Sequence, residues 1–71
     1  MNRRVMAYVR KVAQLPTVAS CTDNLTSAAG CIVHSAMATS DGEAFREAAK
    51  AAAHLMIFLE QTLREDDNAD R

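Results

Sequence analysis

From Phe45 to Leu63 the apolar residues Phe45, Ala48, Ala49, Ala52, Met56, Leu59 and Leu63 recur at spacings of three and four, the signature of one face of an α-helix. A strand is excluded, because its side chains alternate with a period of two. The start of the helix is marked as well: Ser40 is placed to cap it, and Glu43 three residues on completes a capping box. Asp41 and Glu43 also sit favourably against the positive end of the helix dipole. A helix from about Asp41 to Glu65 is predicted, followed by a frayed acidic tail over residues 66–71.

Inside this helix, residues 55–59 read Leu-Met-Ile-Phe-Leu. A surface helix needs one apolar stripe, and five large apolar residues in succession cover more than one face. Met56 and Leu59 belong to the stripe itself, while Leu55, Phe58, Ala51 and Ala44 widen it to about half the circumference. Ile57 falls about 120° from Phe45, among Arg46, Lys50 and Arg64, and reads as a residue facing a partner. His54 lies opposite the stripe and is expected to be exposed, at most a pH-sensitive rim residue of an interface.

Two further helical segments precede it. Val5, Tyr8, Val9, Val12 and Leu15 share one side of a helix over residues 3–15, with Arg3 and Arg10 opposite and Arg4 and Lys11 on the flank. Pro16 ends it, since the residue before a proline is driven out of the helical region, and is suited to open the next helix. From Thr17 or Thr22 to about Thr39, Val18, Leu25 and Ile32 recur seven apart, with Cys21, Ala28, Ala29 and Ala36 filling the same stripe. Small residues of this kind let a neighbouring backbone approach closely, so this stripe is expected to face a tightly packed helix. Thr17, Ser20, Thr22 and Asp23 are all competent caps for its start. Gly30 weakens its middle by about 1 kcal/mol relative to Ala.

The connection between the second and third helices is short, which implies antiparallel neighbours. The expected fold is all-α: a single small helical domain over residues 1–71, built as a helical hairpin of two longer antiparallel helices plus a short N-terminal amphipathic helix. That helix lies across the hairpin or on a second subunit.

Composition bears on how such a fold is held together. The hydrophobic fraction is 49% over 71 residues, but 14 of these residues are Ala and only Tyr8, Phe45 and Phe58 are aromatic. Small domains bury roughly 60% of the surface their unfolded chain exposes, and a thin core calls for a disulfide, a metal or an oligomer. Cys21 and Cys31 on one helix would stand about 15 Å apart, beyond the roughly 7 Å limit for a bridge. A turn between them would permit one, yet two cysteines do not make a disulfide scaffold, and both are read as reduced. A dimeric helical bundle is therefore expected.

Formal net charge is −1, but residues 1–16 carry Arg3, Arg4, Arg10 and Lys11 and no acid, whereas residues 41–71 carry eight acids against four bases. A basic arm of this kind can serve nucleic acid or anionic lipid. The alternative is a solvated helix face lying against the acidic end of a neighbouring chain, which the near-neutral balance favours, so nucleic acid is not the expected partner. Val18-Ala19-Ser20-Cys21 has the small-residue pattern that precedes a lipoprotein-type cysteine. Arg10, Lys11 and Gln14, however, interrupt the apolar stretch of about 7 to 15 residues that a signal peptide needs. No apolar stretch approaches the 18 or more residues of a membrane span, and a cytoplasmic protein with no membrane contact is expected.

Residues able to carry chemistry are few. Cys31 and His34 project to one side of a helix and supply half of a tetrahedral zinc site, but Cys21 points into the apolar stripe while His34 points away from it, so a full ligand set does not converge. His34-Ser35 resembles a phosphoacceptor histidine only in being presented on a helix; no Lys or Arg stands within ten residues on either side to neutralise a phosphate. Nucleophiles need an oriented base and paired carboxylates need a pocket, and neither is visible. No cofactor and no enzymatic activity is expected.

The expected function is a small protein-interaction module or regulator that binds and occludes or chaperones a partner protein, itself a homodimer. Phage-type inhibitors, antitoxin-like factors and secretion co-chaperones share this design. Leu55, Ile57, Phe58 and Leu59 would form the contact, with Met56 and Met37 as adaptable neighbours. Two alternatives are a metal-linked or redox-responsive switch using Cys31 and His34, and a nucleic-acid accessory protein using Arg3, Arg4, Arg10 and Lys11.

Overall fold

The computed structural model describes residues 2–69, with side chains through Arg64. Its described residues form four helices: α1 (Arg3–Ala13), α2 (Pro16–Ala19), α3 (Asn24–Ala36) and α4 (Asp41–Ala69). At 29 residues, α4 is about 43 Å long, close to the longest dimension of the molecule, 48 Å. It is the spine, and each of the other helices packs against it.

Local chemistry sets the boundaries. Asn2 caps α1 by accepting from the Arg4 amide at 2.7 Å. Leu15 is extended, as the residue before a proline must be, and Pro16 opens α2 at its first turn. The segment expected to run as one helix from Thr17 or Thr22 is instead broken after Ala19 and restarts at Asn24. Of the four competent caps, Asp23 takes the role, its carboxylate accepting from the Thr26 amide at 3.2 Å. At the head of α4 the Ser40 hydroxyl accepts from the Glu43 amide at 3.2 Å, as expected. The Glu43 carboxylate reaches one residue further back than a capping box requires, to the Thr39 hydroxyl at 3.3 Å. The helix then continues past Glu65 to Ala69. The expected fraying of residues 66–71 falls where no side chain is described, and Asp70 and Arg71 lie outside the described residues altogether.

α3 and α4 form the antiparallel hairpin: Asn24 meets His54 at one end and the Ser35 hydroxyl donates to the Ala44 carbonyl at 2.7 Å at the other. α1 packs on the opposite flank of α4 and runs parallel to it, with Tyr8 and Phe45 tilted ring against ring at 5.4 Å between centroids and Ala13 near Ile57 at the other end. α2 closes the space between α1 and α4. Its Val18 joins Val9, Val12, Ala49 and Ala53 in the core. α1 and α3 do not touch each other.

The inward face of α3 differs from the one expected. Asn24, Ala28, Cys31 and Ser35, at spacings of four, three and four, face α4; Leu25 and Ile32 are exposed, as are Ala29 and Ala36. The helix is thus rotated by roughly a quarter turn from the Leu25/Ile32 stripe. Small residues still make the close contact, since Ala28 and Ala51 are both buried, but polar side chains with partners across the seam complete it. Gly30 is not a point of close approach, for a Cβ built there meets no atom within 4 Å. No Leu, Ile, Met or Phe among the described residues is buried. Val9, Val12 and Val18 are the largest apolar side chains in the interior.

Candidate functional site

α4 has two accessible faces, because α1 and α3 flank it without meeting. On the front, Ala48 and Ala52 floor an apolar groove. Val5, Met6 and Val9 wall it on the α1 side, and Ile32 and Ala36 wall it on the α3 side. Leu55 and Leu59 continue its floor toward the C-terminus. These positions fall on one side of α4 because 45, 48, 52, 55, 59 and 63 follow the three-and-four spacing that winds along a single helical face. Beyond Glu60, the last residue of α4 beside α1, the stripe has no intrachain cover among the described residues, and Leu59 and Leu63 are 63% and 62% exposed.

On the back, a cleft of about 590 Å³ lies between α2 and α3 over Glu47, Lys50 and His54 of α4, with Cys31 and His34 from α3 on its wall. His54 is only 6% exposed, contrary to the expectation of an exposed rim residue, because α3 covers it. Its bonding is determinate. The Asn24 amide NH₂ donates to the Cys21 carbonyl at 3.1 Å, so Asn24 Oδ1 faces the ring and accepts from His54 Nδ1–H at 2.9 Å. An amide oxygen can only accept. The pair ties the start of α3 to the middle of α4.

Cys31 sits two turns along α3 from Asn24, about 10 Å away along the axis, so thiol, imidazole and amide do not form a catalytic relay. Burial pushes the Cys31 thiol above its ordinary pKa, and the neighbouring Glu47 carboxylate raises it further, with Lys50 opposing. A nucleophilic cysteine needs the reverse shift. Cys21 and Cys31 are both free, and the Cys21 sulfur lies 3.1 Å from the Ser27 hydroxyl. No three His, Cys, Asp or Glu side chains among the described residues cluster closely enough to hold a metal.

Of the residues expected at an interface, Leu55, Met56 and Leu59 share the front groove. Ile57 does not stand apart on a charged face: it is half-buried against the core, since α1 lies on that side of α4. Phe58 is half-buried and lies off the groove. Met37, 75% exposed, is the C-cap of α3 and belongs to the other end of the hairpin. Sequence reasoning missed the groove's flank, Met6, Ile32 and Ala36. The exposed stripe Leu25, Ala29, Ile32, Ala36 was visible as a pattern but assigned to the inside.

The basic residues divide into two rows on α1. Arg3 and Arg10 share the edge that carries Met6, at spacings of three and four, and Arg4 and Lys11 share another. Among the described residues the one ion pair is Lys50 with Glu47 at 3.2 Å. No described helix is long and apolar enough to cross a membrane. Compared with family models, curated proteins and solved structures, the chain finds no match.

Proposed function

We propose that this protein acts by contact, as a non-enzymatic interaction module whose front groove covers an apolar helix of another chain. The observation that carries this reading is the distribution of large apolar side chains: Phe45, Leu55, Leu59, Leu63, Leu25 and Ile32 are all exposed, and they lie along the groove or its α3 flank. Scattered exposed apolar residues are ordinary. A contiguous set around a groove is a binding surface. An α-helix suits the groove because its alanine floor lets a second backbone come near, and helix-in-groove docking reads anchors at the spacings Leu55, Leu59 and Leu63 provide.

On this reading the protein is an assembled species in the cytoplasm, and its effect on a target is occlusion or chaperoning rather than chemistry. Replacing Leu55 and Leu59 together by Asp tests it. The variant is expected to keep its helical circular dichroism and to lose association measured by light scattering and co-purification. A wild-type chain that stays monomeric and takes up no protein from an extract of its own cells overturns the reading.

A further inference from the structure

We infer that the chain covering the front groove is a second copy of this one, lying antiparallel, so that the two α4 helices run along each other between the flanking α1 and α3 helices. This rests on the reading of the groove as a docking surface. Two features of α4 select the copy and its direction.

The first is size. Past Phe45 at its head, the groove positions of α4 are small in its first half, Ala48 and Ala52, and large in its second, Leu55, Leu59 and Leu63. An antiparallel register centred between Ala52 and Leu55 sets Leu55 over the partner's Ala52 and Leu59 over the partner's Ala48. Large residues then meet small ones at these central levels, which is how facing layers fill space, and at each end Phe45 lies next to the partner's Leu63. A parallel copy sets leucine on leucine at one end and alanine on alanine at the other.

The second is length. α1 reaches Glu60 and α3 begins beside His54, so the part of α4 from Gln61 to Ala69 extends about 13 Å beyond its own flanking helices. In the antiparallel pair this overhang lies on the first turns of the partner's α4. The exposed Leu63 is covered there.

The test uses full-length chain with both native cysteines replaced by Ser and a single spin label at either Lys50→Cys or Gln61→Cys, both exposed on the back of α4 and clear of the groove. In the antiparallel register the two label sites are offset along the axis by about 10 Å at position 50 and about 22 Å at position 61. The label-to-label distance is therefore expected to be longer from position 61. Equal distances from both positions mean a parallel copy and overturn the direction. A wild-type chain that is monomeric at roughly 100 µM, where a specific dimer is populated, overturns the second copy. If that monomer still loses a heterologous partner on Leu55→Asp/Leu59→Asp substitution, the docking surface itself stands; if it binds nothing, both fall.

Discussion

The front and back of α4 face the same solvent and are flanked by the same helices, yet they are made of opposite materials. The front is an alanine floor with leucines at one end and a single polar residue, Ser35, in its α3 wall; the back holds a thiol, two imidazoles, a carboxylate and an ammonium. The polar groups of the seam have partners, as the Asn24–His54 bond on the back and the Ser35–Ala44 bond beside the groove show. The large apolar groups of the front have none. The difference teaches how stability and association are divided in a chain too small for a full core. Bonded polar groups and close alanine contacts hold the hairpin, and the large apolar residues that most domains bury are left free to meet another chain.

If that division holds, substitutions on the two faces act on different measurements. The largest effect is expected from Leu55→Asp/Leu59→Asp, where two interface anchors worth about 2 kcal/mol each are replaced by charges. Association should weaken at least a hundredfold while thermal unfolding of the dissociated chain changes little. A large loss of helicity would show instead that the front stabilises the chain itself. Next in size is His54→Ala on the back, which leaves Asn24 Oδ1 without its donor and opens a cavity at the seam, for a cost of about 2–3 kcal/mol in chemical unfolding. A double-mutant cycle with Asn24→Ala should give a coupling of about 1 kcal/mol or more; additivity would mean the bond contributes nothing beyond packing.

Gly30→Ala should act in the opposite direction. The site lies in mid-α3 with no neighbour within 4 Å of a new Cβ, so the substitution is expected to stabilise by about 0.5–1 kcal/mol, read as a rise in melting temperature. A loss of stability would show that something packs there in the assembled protein. The smallest effect concerns Cys31. Burial and Glu47 raise its pKa in the fold, so the folded state favours the neutral thiol. Its contribution to stability is complete below the unfolded thiol pKa of about 8.5 and is lost as pH rises through the folded value. Wild type should therefore lose slightly more stability than Cys31→Ala between about pH 8 and pH 10, and alkylation of Cys31 should be slow at neutral pH.

Much of the architecture was legible in periodicity. The α4 stripe, its Ser40 start, the α1 face, the proline boundary and the antiparallel hairpin each follow from residue spacing and local sterics, which act within a few residues. The rotation of α3 was not legible. Leu25 and Ile32 are the largest apolar residues of that helix, and a hydrophobicity argument places them inward. The orientation is decided instead by Asn24 and Ser35, whose partners His54 and the Ala44 carbonyl lie 30 and 9 residues away in another helix. Ile57 and His54 were misplaced for a related reason. A wheel drawn for α4 alone shows which residues share a side, but not that α1 and α3 occupy the two flanks and leave the front open.

Sequence alone determined that the chain is helical, where α1 and α4 begin and end to within a few residues, and that it carries more apolar surface than it has core to bury. Those properties are set by backbone sterics, capping and composition, all of them local. Only the tertiary structure decided which apolar residues remain outside. That choice depends on which pairs of faces fit together, and here small residues and matched hydrogen bonds between α3 and α4 set the seam and turned the leucines toward the groove.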